Sequence, residues 1–393
     1  CQAPRAPLLL YAGTIGLPAP LGLPMGCSLR NSWLAPRYGT YRREKWRAFK
    51  GTTNVFLHYL CPAMSNGLLC SKEQWIERMN RWGEERKPFI FAIDFKAEKA
   101  VCELCGTHEN DILYAFPTVS NLGSAAQPLD SLPFTLSKHP VPLADYAVRF
   151  TRLMELMRAG SLTYVNFTCP TRIECNLSLR DIFYRTQAMY RMHVAGLFTV
   201  FSPEPFVRIA DDTIRSFPMK GTIEAHLPDA EQRILNDPKE VDEHAMAVQM
   251  LREDLSRIAT QIETVRYRYV ERIRTGAKDL LAVSSEVAGQ VGADWRSKLG
   301  HLLADLLPGA SILGYPREFA YQHIESLELG ARRFYTGVCG YFDGERLDSA
   351  VLIRFIEQTA EGLIYHSGGG VTINSQLERE YQEMLNKVYV PVL

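Results

Sequence analysis

A net charge of either sign is missing from this chain: 44 lysine and arginine side chains stand against 44 aspartate and glutamate. No overall field draws it to nucleic acid or to an anionic membrane surface, and neither is expected as a partner. A long apolar run is missing too. The most apolar stretch, from Pro7 to Met25, is interrupted by Pro18, Pro20 and Pro24 with glycines between them, which excludes a continuous membrane span or a secretory core segment. Nine cysteines at irregular spacing form no even framework, so a reduced, cytoplasmic protein is expected over a secreted one. Cys102-x-x-Cys105-x-x-His108 has metal-ligand spacing but no fourth ligand nearby, and zinc is not expected there.

What is present is enough apolar sequence, 46% of 393 residues, to bury a large core. The neutral total hides an asymmetry: residues 1–63 carry eight basic side chains against Glu44 alone. This segment is expected to be a poorly ordered extension of uncertain status. The functional unit is expected over 64–393, beginning at Met64 ahead of the helix entry Ser71-Lys72-Glu73-Gln74-Trp75.

Periodicity predicts a helix ending near Glu85, a buried strand over Pro88–Phe95, a long loop over 116–143, and a helix from about Tyr146 to Gly160. Strands follow at 162–168, 197–201 and 206–210, with helices at 182–194, 238–260, 294–306 and 316–327. The last predicted elements are strands at 335–342, 349–356 and 363–366 and a helix at 376–387. Strands and helices come in blocks, which favours an α+β architecture over a doubly wound parallel sheet.

Four features carry chemistry. Lys220, in Pro218-Met219-Lys220-Gly221-Thr222, reads either as a solvated turn lysine or as an amine nucleophile whose pKa is lowered by desolvation. Glu240 and Glu243, with His244 beside them, are three apart and share a helix face; Glu380 and Glu383 repeat that spacing on the last helix. Four such carboxylates either belong to solvated surfaces or meet around a divalent cation, for which hard oxygen ligands suit magnesium. Ser367-Gly368-Gly369-Gly370 offers unobstructed backbone N–H groups to an anion. Arg354, in an apolar strand, needs an anionic partner, either an internal carboxylate or a ligand.

In order along the chain, these segments, together with Ser202-Pro203-Glu204-Pro205-Phe206, Pro308-Gly309-Ala310-Ser311-Ile312 and Arg332-Arg333-Phe334-Tyr335-Thr336-Gly337, resemble the chorismate-utilising enzymes. The matches run from about 145 to 390 and lie closest to the aminodeoxychorismate branch, which has lysine at the position of Lys220 where anthranilate, isochorismate and salicylate makers typically have alanine. The resemblance implies an anthranilate synthase component I-like fold, a two-part β-sandwich flanked by helices. It implies amination of chorismate at C4, on the way to para-aminobenzoate and folate, with Lys220 as covalent nucleophile and Glu204 as the acid for the departing hydroxyl. It further implies magnesium held by Glu243 and Glu383, with Glu240 and Glu380 acting through water. Thr222, Tyr335, Arg354, Gly368, Gly369, Gly370 and Lys387 are implied as substrate contacts.

The sequence departs from the family pattern in places. Ala282 stands where a histidine is usual, Tyr164 where a glutamine is usual, and Arg317 where a lysine is usual. The part before 145 is shorter than in longer relatives. No glutaminase nucleophile elbow is visible, so ammonia is expected from a separate glutamine amidotransferase subunit. An anthranilate or salicylate/isochorismate synthase, and a non-catalytic homologue acting as a binding partner, are the rival readings.

Overall fold

A strand whose side chains are apolar on both faces must be covered on both faces. In the Phe89–Ile93 strand all five residues are buried, with Ile90 and Ala92 on one side and Phe89, Phe91 and Ile93 on the other. The computed structural model, which describes residues 67–123, 133–274 and 279–392, supplies both layers. Ile90 and Ala92 pack with Val194, Phe198, Val200 and Phe355 of a second sheet. Phe89, Phe91 and Ile93 pack beneath Trp75 and Met79 of the Lys72–Glu84 helix and Leu299 and Leu303 of the Leu299–Leu306 helix. The second sheet is covered in turn on its far side, where Val165, Phe167 and Val371 meet Tyr146, Phe150, Ile324 and Met384 from three helices.

The expected sandwich is therefore found: a ten-stranded and a nine-stranded antiparallel sheet, face to face, with helices outside. In the first sheet the Leu347–Val351 strand lies beside Pro205–Ala210, and Thr213–Ser216 and Met219–Glu224 both pair with Asp279–Gln290. In the second, Tyr164–Cys175 lies beside Gly362–Thr372, then Phe355–Thr359, then Phe198–Ser202. No helix among the described residues is long and apolar enough to cross a membrane. The expected extension 1–63 lies outside the described residues.

Several elements differ from the expectation. The 116–143 loop contains the Leu136–Pro140 strand, which pairs with the Tyr164–Cys175 strand. The helix expected at 182–194 is a short Leu179–Arg185 helix followed by the Tyr190–Val194 strand, because Tyr190, Met192 and Val194 alternate into the core. Helix Pro238–Leu255 is followed by a hairpin, Thr260–Arg274 with Asp279–Gln290, whose alternating arginines and tyrosines gave no core-like signal. The 349–356 strand is two strands, Leu347–Val351 in one sheet and Phe355–Thr359 in the other.

Candidate active site

Two adjacent crossings between the sheets build the floor of the site. The chain passes from the second sheet to the first at Ser202–Pro205, and Glu204 lies in that crossing. It passes back at Val351–Phe355, and Arg354 lies in that one, with φ at 54°. Such a left-handed backbone is strained for a non-glycine residue and marks a corner that the surrounding structure enforces. Burial raises the Glu204 carboxyl above the ordinary glutamate range, against the pull of Lys220, Arg354 and Lys387. Arg354 has no carboxylate within salt-bridge distance among the described residues; its guanidinium stacks 5.3 Å from the Tyr389 ring and its buried Nε has no hydrogen-bond partner. The internal salt bridge that would make Arg354 merely structural is thus not found.

Lys220 lies on a strand, Met219–Glu224, and not on the tight turn that its proline and glycine flanks suggest. The strand bulges between Met219 and Thr222 against Asp279–Gln290, with Gly221 at φ 83°. A bulge inserts an unpaired residue and re-aims its side chain, here requiring glycine for the positive φ. A Cβ at Gly221 would also come within 2.9 Å of Glu240 Oε2, so the bulge brings the first acidic helix against the lysine strand. Half-buried, Lys220 sits with its Nζ 5.5 Å from the centre of the Tyr164 ring. Tyr164, and after it Glu204 and Glu243, hold the ammonium above the ordinary lysine range, outweighing burial. This corrects the expectation of an amine made neutral by desolvation: the surroundings stabilise its charged form. Thr222 is exposed beyond the bulge, opposite the buried Ala282.

The two acidic helices do face one space. Glu240 and Glu243 come from the Pro238–Leu255 helix, Glu380 and Glu383 from the Leu377–Asn386 helix. Burial raises the Glu380 carboxyl, and the charges of Glu383 and, from the other helix, Glu243 add to it. Burial likewise raises Glu240, with Glu243 adding to it. Glu383 is the exception: burial would raise it, but Lys387, at 2.7 Å, pulls it down. Lys239 reaches Glu243 at 3.5 Å. Among the described residues no three acidic, histidine or cysteine side chains converge on one point. The donor chemistry, hard carboxylate oxygens of which Glu240 and Glu380 have no lysine within ion-pair distance among the described residues, fits a divalent cation such as magnesium. The lysines on Glu243 and Glu383 neutralise two of those donors.

Gly368–Gly370 lie inside the Gly362–Thr372 strand, in register with Thr168, Phe167 and Asn166, and not in a loop after it. Lys387 Nζ donates to the Gly368 carbonyl at 2.9 Å, so Gly368 presents its polar groups to the edge away from the Tyr164–Cys175 strand. A Cβ on Gly369 would lie 3.3 Å from Glu383 and 3.6 Å from both Glu380 and Lys387, which places the glycine strand directly on the second acidic pair. Tyr335 is buried beside this strand, stacked at 5.2 Å on His366, and it feels the charges of Arg354 and Glu204. The structure therefore gathers Lys220, Glu204, Tyr335, Arg354, Gly368, Gly369, Gly370, Lys387 and both carboxylate pairs around one neighbourhood.

Other residues there escaped the sequence reading as site residues. Tyr164, noted only as a departure, lies under the lysine. Ser285 donates its backbone N–H to the Pro218 carbonyl, while its Oγ accepts from the Arg268 N–H at 2.9 Å and meets His244 Nε2 at 2.6 Å. Burial, then the charges of Arg268 and Lys220, push His244 down to about 4, so it is a neutral ring joining the acidic helix to the lysine strand. A His366–Glu357–Arg333 chain, buried at His366 and Glu357 and with contacts of 3.1 Å each, supports Tyr335 from behind. Nothing in their local sequence marks them; only the register of distant strands does.

Comparison with known proteins gives a consistent set. A family model described as chorismate binding enzyme matches residues 103–392, beginning earlier than the motifs near 145. An uncharacterized PabA-like protein of Haemophilus influenzae is 42% identical over 321 residues, covering 81% of this chain and 97% of that protein. Aminodeoxychorismate synthase component 1 of Salmonella typhimurium is 26% identical over 320 residues, covering 76% and 67%. Among solved structures, a putative 2,3-dihydroxybenzoate-specific isochorismate synthase from Bacillus anthracis superposes with a TM-score of 0.60 at 20% identity, covering 81% of this chain and 87% of the other. The last likeness speaks to the fold alone.

Proposed function

The chain belongs to the chorismate-binding enzyme family, and from that premise we propose that it aminates chorismate at C4 to give 4-amino-4-deoxychorismate. One observation carries the choice among the family's reactions: a lysine, Lys220, reaches into the site from a strand bulge, in the electrostatic neighbourhood of the half-buried acid Glu204.

The pair suits a proton exchange before attack. Lys220 is held as an ammonium and must give up a proton before it attacks; Glu204, whose carboxyl pKa is raised, would take that proton through a bridging water or the substrate, since the two groups are not in direct contact. The amine then attacks C2 of chorismate, the ring double bond shifts, and the C4–O bond breaks with Glu204 delivering the proton that releases water. Ammonia enters at C4, the double bond shifts back, and the C2–N bond breaks to free Lys220. A covalent intermediate divides one difficult displacement into two. Arg354, Tyr335 and the Gly368–Gly370 edge, with Lys387, would hold one substrate carboxylate; Thr222 would contact substrate from the Lys220 strand, beyond the bulge. Glu243 and Glu383, with Glu240 and Glu380 behind them, would hold magnesium, which when bound supplies positive charge for the other carboxylate. Ammonia would come from a separate glutamine amidotransferase subunit, and the product would feed para-aminobenzoate and folate synthesis. The six cysteines among the described residues are all unpaired, which fits a cytoplasmic enzyme.

The rival within the family, an isochorismate or anthranilate maker, needs no amine nucleophile. Incubating the full chain with chorismate, magnesium and ammonium, and identifying the product by mass spectrometry, separates them. Aminodeoxychorismate is expected; isochorismate, salicylate or anthranilate overturns the proposal, and no turnover even with an amidotransferase favours a non-catalytic homologue. Lys220→Ala should abolish covalent capture of the substrate on that peptide.

A further inference from the structure

We infer that Tyr164 is a positioning residue for Lys220: its ring face seats the lysine amine and fixes where it points, an inference that rests on the reading of Lys220 as the nucleophile. The ring is itself fixed from three sides. Its hydroxyl donates to the Ser311 carbonyl at 2.9 Å, tying it to the short Ala310–Leu313 helix. Met250 and Ala310 pack against it, and the residue is 3% exposed. Opposite, the Gly370 backbone lies so close that a Cβ there would meet Tyr164 Cε2 at 2.7 Å and Oη at 3.0 Å. A lysine side chain has four rotatable bonds, and an aromatic face within about 6 Å of the ammonium is the kind of partner that restricts them. At 5.5 Å the Lys220 Nζ meets that condition.

The absence of a salt bridge makes the ring matter more. No carboxylate oxygen lies within 4.0 Å of Lys220 Nζ among the described residues, so Glu204 and Glu243 set its charge without fixing its direction. The glutamine usual at this position in the family offers no π face. Tyr164 instead spans the gap between the lysine bulge and the glycine strand, so the requirement for glycine at 370 and the seating of Lys220 have one cause.

The test is chemical labelling of the full chain without substrate. Lysines are modified at fixed pH with trinitrobenzenesulfonate, and rates at Lys220 and the exposed Lys239 are compared by peptide mass spectrometry. Tyr164→Leu is expected to raise the Lys220 rate about five-fold relative to Lys239, while Tyr164→Phe, which keeps the face but loses the hydroxyl's hold on the ammonium, falls between the wild type and Leu. Gly370→Ala, which pushes an intact Tyr164 aside, is expected to match Tyr164→Leu and carries the test if the leucine variant does not fold. An unchanged Lys220 rate in both the Leu and the Ala variants overturns the inference, as does a Phe variant that behaves like Leu. In amination, Tyr164→Leu should lower kcat with little change in KM, and Phe should restore it in part. If the wild type does not aminate chorismate, the proposed function fails while the labelling result still decides the placement of Lys220.

Discussion

Glu204 and Arg354 lie side by side where the chain crosses between the two sheets: the Val351 N–H donates to the Glu204 carbonyl at 3.1 Å, and the Phe201 N–H donates to the Arg354 carbonyl at 3.1 Å. Each crossing thereby holds the other, and the acid and the guanidinium keep a fixed relation that neither loop could impose alone. A site built on element ends is more rigid than one on free loops.

From that relation follows the first prediction. Arg354 makes no salt bridge whose loss would cost stability, so Arg354→Gln should fold normally by circular dichroism. Losing a charge-assisted, two-pronged grip on a carboxylate should raise KM for chorismate roughly 10- to 100-fold, with a smaller effect on kcat. An unchanged KM would remove Arg354 from substrate binding.

The second concerns the metal. Lys239 and Lys387 already neutralise Glu243 and Glu383, so magnesium must displace two ion pairs on entry. Chelation should stop amination and added magnesium should restore it. Glu243→Gln and Glu383→Gln should each weaken magnesium affinity by about ten-fold or more in calorimetric titration. Full activity after exhaustive chelation would remove the ion from the reaction.

The third tests the node behind the lysine strand. Ser285→Ala removes the acceptor of the Arg268 N–H and the partner of His244 Nε2, and His244 Nδ1 already has none. Leaving the buried Nε2 of His244 without its partner should cost about 1–3 kcal/mol, read as a lowered midpoint in urea unfolding. Amination should fall as well, because the acidic helix loses its tie through His244 to the strand whose backbone holds Pro218. A variant as stable as the wild type would mean that His244 is satisfied in another way.

These cases also show what the sequence makes legible. Glu240 with Glu243, and Glu380 with Glu383, could be read because helical spacing puts both members of each pair on one face, a local property. Lys220 and Gly221 stood out by residue type, but not the bulge, which exists only against the Asp279–Gln290 strand. Arg354 looked like the middle of a strand because apolar residues flank it; the switch between sheets there is a property of the pairing partners, and the sequence around it carries no break. The glycines at 368–370 read as a loop for the opposite reason. They are a strand whose lack of side chains is required by Phe167, Thr168, Tyr164 and the Glu380–Glu383–Lys387 cluster against them. Tyr164 and Ser285 depend on contacts spanning many tens of residues, and nothing local announces them.

The fourth prediction concerns pH and the support of Tyr164. Asp254, at the end of the first acidic helix, accepts from the Ala310 N–H at 2.7 Å and so holds the short helix to which Tyr164 is tied. Burial pushes its carboxyl up to about 6, against the opposing pull of that N–H and of Arg317. A carboxyl raised on folding binds its proton more tightly in the folded state. Its contribution to stability is therefore full below the ordinary aspartate range and is lost as pH rises through about 6. Asp254→Asn keeps an acceptor for Ala310 but has no proton to lose. The variant should match the wild type near pH 4 and gain on it up to about pH 7, by roughly 2 kcal/mol in chemical unfolding. Parallel stability curves across that range would mean that Ala310 and Arg317 compensate the buried charge in full. In that event the negative carboxylate would be the state that holds Ser311, and through it Tyr164, in place under the lysine.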